Sequence, residues 1–305
     1  MKGYKGFNKG MICLGKQYAE DTVFEEPEAN IRENGMHFCK NPWDVLDYYG
    51  FMDYNGEPNE FAEVESLDEV KTNDYEEYCT KKLKIGAKLS LAEFIKVCTD
   101  FMVEKATVAQ MIDDAVSTGN ESIITSTENG STVVSTGSGS TVVSTGSGSK
   151  VVFTGYGSTV VSTGSGSNVT GAEDYSVIAA TGRCSHAVST GNNAKIAVVG
   201  DFSKVISTGR NSKVVSIGNY STVASMDFHS KVVSTGNADI VFCAGDDSLA
   251  KAKKGSWITL VEWGYNKQEH KYVPVNVKTE YVDGERIKED VFYALKNGEF
   301  QEVGS

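Results

Sequence analysis

The chain has 305 residues, a net charge of −12, and 31 glycines against only 4 prolines. Residues 1–112 carry 21 acids and 13 bases, so the composition excludes the basic surface of a nucleic-acid-binding protein. No apolar stretch approaches the length that crosses a bilayer, and no apolar run follows the first lysines, so we expect neither a membrane span nor a secretory signal.

Residues 1–89 predict a small α+β domain. Paired short strands are expected in YKGFNKGMICLGKQY, and a strand followed by a helix is expected in GMHFCKNPWDVLDYY. In the second segment Asn41 precedes a proline, which suits the first turn of a helix. Two further strands are predicted in FAEVES and KKLKIGAKL.

Residues 90–112 predict a capping helix. Ser90 and Glu93 have the spacing of a capping box, in which each side chain accepts a hydrogen bond from the other residue's backbone amide. Because the open end of a solenoid would expose a strand edge, we expect this helix to cover the start of the repeats that follow. Its apolar residues form one stripe: Leu91, Phe94, Ile95, Cys98, Phe101 and Met102.

Nonamers run from Asp113 to about Tyr265 in 17 units without an insertion, and STVVSTGSG occurs twice in succession in residues 131–148. Glycine at every ninth residue is unfavourable for a helix, whereas S-x-V-V-S-T favours a short strand and G-x-x-S a turn. Strands this short bury a face only by stacking, so residues 113–256 predict a parallel β-solenoid. Either two or three nonamers make one coil, and the sequence leaves this open.

Variation at each repeat position predicts which side chains face the core, counting Ser131 as position one. Positions three and five face inward, because position three is apolar in each unit before the last and strand side chains alternate. Positions four and six then face outward, unless a bulge buries both valine rows. The outward ladder contains Val134, Thr136, Val143, Thr145, Val161, Thr163, Val233 and Thr235.

This ladder of valines and threonines is the candidate binding surface. A flat array of methyl and hydroxyl groups is typical of a docking or self-association face. It also resembles the ice-binding faces of some β-solenoids, and the simplest alternative is an ordinary strand face. We predict no metal site, because the units lack the carboxylates found in calcium-binding β-rolls of the same period.

Residues 257–305 predict a C-terminal β-meander cap. SWITLVEWGY keeps the repeat phase, and two-residue hairpin turns are expected at Asp283-Gly284 and Asn297-Gly298. The predicted fold class is therefore mainly β: a parallel β-solenoid of nonapeptide repeats with an N-terminal α+β domain and a C-terminal β-meander cap.

GMHFC, followed by Asn41-Pro42 and FAEV, resembles an uncharacterised N-terminal domain family of phage and gut-bacterial proteins. In that family the domain precedes a Ser/Gly-rich nonapeptide array and an ending similar to GSWITLVEW. The resemblance covers all three parts of the chain. It implies a phage-encoded or prophage-encoded protein and carries no known function.

The segment G-x-H-F-C-x-x-P also resembles the strand-then-helix element of ADP-ribosyltransferases, in which an aromatic residue stacks on nicotinamide. This resemblance places His37 at the aromatic position and Glu63 or Glu65 at the catalytic glutamate. The opening strand around Lys5 lacks the family's His or Arg. His37 and Cys39 lie on one side of the predicted strand, and we interpret them as a structural pair because no acid–base partner is identifiable.

We therefore predict a non-catalytic binding or sequestering protein that acts in the host cytoplasm, with a role in counter-defence. Its partner is a host protein or a small-molecule ligand, it forms homo-oligomers, and it requires no cofactor and binds neither nucleic acid nor membrane. Six scattered cysteines are expected to be free thiols in a reducing cytosol. The alternatives are an ADP-ribosyltransferase-like domain on a solenoid scaffold, and a structural or ice-binding-like solenoid.

Overall fold

The structure is a computed structural model that describes residues 1–53, 57–72, 77–105 and 114–303. The chain forms two compact units, residues 1–105 and 106–305, which we describe separately. The predicted fold class is confirmed: an N-terminal antiparallel sheet with helices, a parallel β-solenoid of about eight coils, and C-terminal antiparallel strands. The division into four segments with the predicted boundaries stays a prediction.

The first unit is built on a seven-stranded antiparallel sheet with its first strand at the centre. The elements are β1 Lys2–Phe7, β2 Ile12–Cys13, β3 Lys16–Gln17, β4 Val23–Glu25, β5 Met36–Cys39, α1 Val45–Tyr48, β6 Glu60–Ser66, β7 Val70–Thr72, β8 Glu77–Thr80, β9 Lys82–Leu89 and α2 Leu91–Lys105. The strand order is β4-β9-β6-β1-β5-β8-β7, and β2 and β3 form a separate hairpin. The strands β4, β7 and β8 were not predicted from the sequence.

Helix α1 is shorter than predicted and begins after a local turn. The side-chain oxygen of Asn41 accepts a hydrogen bond from the backbone amide of Trp43 at 3.1 Å, and its amide group donates to Asp44. Because these bonds stabilise a turn rather than a helical start, the helix begins at Val45 and contains one turn.

Helix α2 begins with the predicted capping box. The backbone amide of Ser90 donates to the Glu93 carboxylate at 2.8 Å, and the Glu93 amide donates to the Ser90 hydroxyl at 3.3 Å. The Phe94 ring stacks on Phe61 of β6 at a centroid distance of 3.8 Å, so the apolar stripe packs on the sheet of the first unit. The side chain of Met102 and residues 106–112 lie outside the described residues, and the predicted covering of the solenoid start stays a prediction.

The second unit stacks parallel strands in two sheets, with one strand from each nonamer. The strands are β10 Asp114–Ser117, β11 Ile123–Ser126, β12 Thr132–Ser135, β13 Thr141–Ser144, β14 Lys150–Phe153, β15 Thr159–Ser162, β16 Asn168–Gly171, β17 Val177–Ala180, β18 His186–Ser189, β19 Lys195–Val199, β20 Lys204–Ser207, β21 Lys213–Ile217, β22 Thr222–Ser225, β23 Lys231–Ser234, β24 Ile240–Cys243 and β25 Leu249–Lys251. The even-numbered strands form the first solenoid sheet and the odd-numbered strands the second. Val142 pairs with Val160, which holds the same position in the second nonamer after it, so two nonamers make each coil.

Side chains at positions three and five form the core between the two solenoid sheets. Val133 and Val142 at position three and Phe153 and Ala180 at position five belong to this core, which confirms the predicted inward rows. Position four lies outside this core, and it differs between the sheets. It is exposed at Val152 in the first solenoid sheet and buried at each position from β13 to β23 in the second.

Two hairpins end the solenoid, one on each sheet: β26 Trp257–Asn266 with β27 Lys271–Tyr281, and β28 Phe292–Lys296 with β29 Glu299–Val303. The predicted turn at Asn297-Gly298 is confirmed, since both residues have positive φ and connect β28 to β29. The predicted hairpin at Asp283-Gly284 is wrong. The Asp283 carboxylate accepts hydrogen bonds from the backbone amides of Glu285, Arg286 and Ile287, which fold the segment into a loop instead.

The predicted repeat phase at the last unit is also wrong. Ile240 of β24 pairs with Trp257 of β26, whereas two full nonamers would bring it opposite the next residue, Ile258. The last coil is therefore shorter than the others by a single residue, and β26 leaves the solenoid to pair antiparallel with β27.

Two glycines in one repeat are favoured for different reasons. A Cβ atom on Gly146, at position seven, would lie 1.8 Å from the Glu128 carbonyl oxygen of the preceding coil. Gly148, at position nine, has φ +70°, and no heavy atom lies within 4 Å of where its Cβ would be. The choice of residue at position seven is thus limited by packing between coils, and the choice at position nine by backbone conformation alone.

We expect Gly148→Ala to lower the free energy of unfolding by about 1 kcal/mol, the cost of a left-handed residue with a side chain. Gly146→Ala should lower it several-fold more, because the backbone of two coils would have to separate. Urea unfolding of both variants measures the difference. Equal losses for the two variants would contradict these separate roles.

Asp239 is a buried carboxylate at position one, where most units have serine. Its carboxylate accepts hydrogen bonds from the Ser221 amide, at 2.7 Å, and from the Ser234 hydroxyl. Burial raises the pKa of Asp239, although these hydrogen bonds oppose the rise. The folded protein therefore binds this proton more tightly than the unfolded chain, and its stability falls as pH rises from the ordinary value of 3.8 through the raised pKa.

We expect Asp239→Ser to stabilise the protein near neutral pH, and to stabilise it less as the pH falls into this window. A serine there can replace the amide contact, since Ser248 at the same repeat position accepts from the Ser230 amide at 3.0 Å. Urea unfolding of both proteins across the pH range measures the difference between them. A difference independent of pH would show that ionisation of Asp239 does not affect stability.

Candidate functional site

A cleft of about 520 Å³ lies in the first unit, between side chains from β1, β5, β8 and the loops beside them. This volume is in the range of sites for small molecules. Aromatic side chains line much of it: Tyr4, Tyr18, Phe38, Tyr48 and Tyr49. Charged side chains also line it: Lys5, Lys16, Glu26, Arg32, Glu33 and Glu77.

Lys5, on the central strand β1, is the buried cation of this cleft, with 5% of its surface exposed. Its ammonium group donates a hydrogen bond to the carbonyl oxygen of His37 at 2.7 Å. It also lies 5.7 Å from the ring centroid of Phe7 and 5.6 Å from that of Tyr18. Within the described ranges of the chain, Lys5 forms no ion pair.

The other two cations of the cleft have carboxylate partners. Lys16 pairs with Glu26, and the Arg32 side chain donates to the Glu77 carboxylate at 3.1 Å. Glu77 is buried, with 6% of its surface exposed, whereas the Arg32 side chain is largely in solvent. Among the three cations that line the cleft, Lys5 is therefore the one without a carboxylate partner among the described residues.

His37 holds the loop between β4 and β5 in place. Its Nε2 atom accepts a hydrogen bond from the backbone amide of Arg32 at 2.9 Å, and the backbone of Asn30 also bonds to the ring. Burial lowers the pKa of His37, and the nearby charge of Lys5 lowers it further, while Glu77 opposes the change. The imidazole is thus neutral at physiological pH and bonded to the backbone through its ring nitrogens.

Burial also favours the neutral forms of one thiol and two tyrosines of the cleft. Burial raises the pKa of the Cys39 thiol to about 12, and the carboxylates of Asp44 and Glu77 add to the rise. Burial likewise raises the pKa of Tyr18 and Tyr49. These groups can donate hydrogen bonds, but a protonated thiol is a poor nucleophile.

The structure brings His37 and Cys39 into this cleft but not the two glutamates of the ADP-ribosyltransferase resemblance. Glu63 and Glu65 lie on β6, opposite Tyr4 and Lys2 of β1, and they are not among the lining residues. Glu77 lines the cleft instead, because β8 pairs with β5. Sequence reasoning missed Glu77, and the strand-like alternation of EYCT was the one signal for it.

The structure distributes the predicted valine–threonine ladder over two sheets. Val134 lies on β12 of the first solenoid sheet, and the other three valines lie on β13, β15 and β23 of the second. Each threonine follows directly after the strand of its valine. Thr136 is exposed and Val134 partly exposed, whereas Val143, Val161 and Val233 are fully buried. The threonines of the second sheet, Thr145, Thr163 and Thr235, are partly exposed, and the role of the ladder as a binding surface stays a prediction.

The six thiols differ sharply in exposure, and only Cys184 is exposed. A thiol reagent at neutral pH should therefore modify Cys184 rapidly and Cys39 slowly, because thiolate is the reactive form. Mass spectrometry of the alkylated native protein counts the modified sites, and Cys184→Ser should remove the fast phase. Rapid modification of Cys39 in the native protein would mean that its thiol is neither buried nor held protonated.

No helix in the described parts of the chain is long and apolar enough to cross a membrane. Likewise, those parts contain no group of three or more His, Cys, Asp or Glu side chains that could hold a metal ion.

Comparisons with known proteins assign a family to the first unit alone. Residues 1–97 match the family described as a domain of unknown function, DUF7666. No curated protein and no solved structure matches the chain. The chain thus carries a DUF7666 domain, which contains the cleft, and a β-solenoid of about eight coils after it.

Proposed function

We propose that this protein is a non-catalytic binding protein whose DUF7666 domain sequesters a small molecule in the cleft. The observation that carries the proposal is the cleft itself, with about 520 Å³ of space, aromatic walls and charged side chains among them. Small-molecule sites typically combine these features.

The ionisation states in the cleft favour binding over catalysis. The Cys39 thiol is protonated because burial raises its pKa to about 12, so it lacks nucleophilic character. The His37 imidazole is bonded to the backbone of the loop that it supports, which occupies the nitrogens a general base would use. Glu63 and Glu65, the candidates for a transferase, lie outside the cleft lining.

Phage origin, counter-defence and action in the host cytoplasm belong to the same proposal. All six cysteines are unpaired, which supports a reducing compartment. The solenoid would serve as the scaffold, and homo-oligomers along it would increase the number of binding sites per particle. In this proposal the sequestered molecule is a host metabolite or signal, removed from solution without chemical change.

Native mass spectrometry of the full chain, purified from host cells, tests this function. We expect a small molecule to be bound to the wild-type protein and to be lost in Glu33→Trp. Glu33 is an exposed lining residue, and an indole ring at its position would fill the cleft. The matched control is Glu285→Trp, an exposed glutamate of the second unit, which should keep the ligand.

Two outcomes would contradict the proposal. Retention of the ligand by Glu33→Trp, or an empty wild-type protein, would show that the cleft does not sequester a molecule. NAD consumption by the purified protein, lost in Glu63→Gln or Glu65→Gln, would instead support the ADP-ribosyltransferase alternative.

A further inference from the structure

The environment of Lys5 indicates the charge of the ligand. A lysine ammonium group has three N–H donors, and one of them bonds to the His37 carbonyl oxygen at 2.7 Å. The rings of Phe7 and Tyr18, with centroids at 5.7 and 5.6 Å, attract the charge without accepting a strong hydrogen bond. Removing an ammonium ion from water carries a large free-energy cost unless an opposite charge compensates it.

The neighbouring charges do not supply that compensation. Glu26 and Glu77 are the half-buried and buried acids of the cleft, and they are paired with Lys16 and Arg32. Glu33 also lines the cleft but is exposed to solvent, where its charge is screened. An anion that enters the cleft therefore meets one buried positive charge whose donors are not fully used.

The aromatic walls indicate the rest of the ligand. Tyr18 is 5% exposed and lies beside Lys5, and its ring is tilted against Phe7 and Phe24 with centroid distances of 5.4 and 4.8 Å. Tyr48 is half exposed, so its ring remains available at the cleft. A planar apolar body fits walls of this kind better than a chain of hydroxyl groups does.

We propose that the ligand is a small aromatic anion, whose carboxylate or phosphate group pairs with Lys5 while its ring lies against the tyrosines. This inference rests on the proposed function, because it assumes that the cleft holds a ligand. It defines the chemical class of that ligand and assigns the charge recognition to one residue.

Isothermal titration with matched pairs of probes tests the class: benzoate against benzamide, and phenyl phosphate against phenol. Each pair shares its ring and differs in charge. We expect the charged member to bind the full-length protein at least 10-fold more tightly than the neutral member. Inorganic phosphate alone should bind more weakly than phenyl phosphate, because it lacks the ring.

Lys5→Met tests the assignment to Lys5. The variant keeps an unbranched apolar side chain and removes a buried charge, so it should fold with undiminished stability. We expect it to lose the 10-fold preference for the charged probes. Lys82→Met is the matched control, since this lysine of the first unit is paired with Glu25 and does not line the cleft, and it should keep the preference.

The outcomes separate this inference from the proposed function. Equal binding of charged and neutral probes, or a charge preference that survives in Lys5→Met, would overturn the anion inference and leave a binding cleft. Inorganic phosphate binding as tightly as phenyl phosphate would overturn the aromatic part. The absence of binding by all probes would overturn the inference, and native mass spectrometry then decides separately whether the cleft sequesters another class of molecule.

Discussion

Hydrogen bonding between successive coils requires each coil of the solenoid to have the same length, and most of the second unit follows from that constraint. Each strand pairs in parallel register with the strand two nonamers later, as in Val142 with Val160. The coils approach so closely at position seven that a Cβ atom on Gly146 would collide with a carbonyl oxygen. Where a single residue is missing from the coil, between Ile240 and Trp257, the solenoid stops and the strands become antiparallel.

This constraint explains why the solenoid was predictable and why its surface was not. A fixed period, glycine at the turns and apolar residues at position three can all be recognised in the sequence, and they predicted the strands and the inward rows. Exposure at position four differs between the two sheets although the repeat is the same in both, so the repeat alone does not predict it. Val134 and Val143 occupy the same position in identical nonamers, yet the first is partly exposed and the second fully buried.

The cleft, in contrast, could be predicted from the sequence only in small part. Its residues come from β1, β5, β8, α1, the β2–β3 hairpin and neighbouring loops. The strands β1, β5 and β8 are far apart in the chain and meet because β5 pairs with both of the others. The sequence directed attention to GMHFC, and His37 and Cys39 do line the cleft. It gave no indication of Lys5, because a lysine in a short strand is ordinarily a solvated residue, and its burial follows only from the central place of β1 in the sheet. The same limitation applies to the glutamates, since strand order decides that Glu77 and not Glu63 lines the cleft.

The two units differ in how their buried polar groups are paired. The solenoid interior contains many serines, and a hydroxyl such as that of Ser149 bonds to the Gly146 carbonyl oxygen at 2.7 Å. Its buried carboxylate, Asp239, accepts hydrogen bonds from Ser221 and Ser234 of the solenoid itself. The first unit instead holds an ammonium group without a carboxylate partner, where an apolar side chain would serve folding at least as well. A buried charge that the fold does not need is better explained by a molecule that binds to it. We therefore propose ligand recognition for the first unit and a scaffolding role for the solenoid.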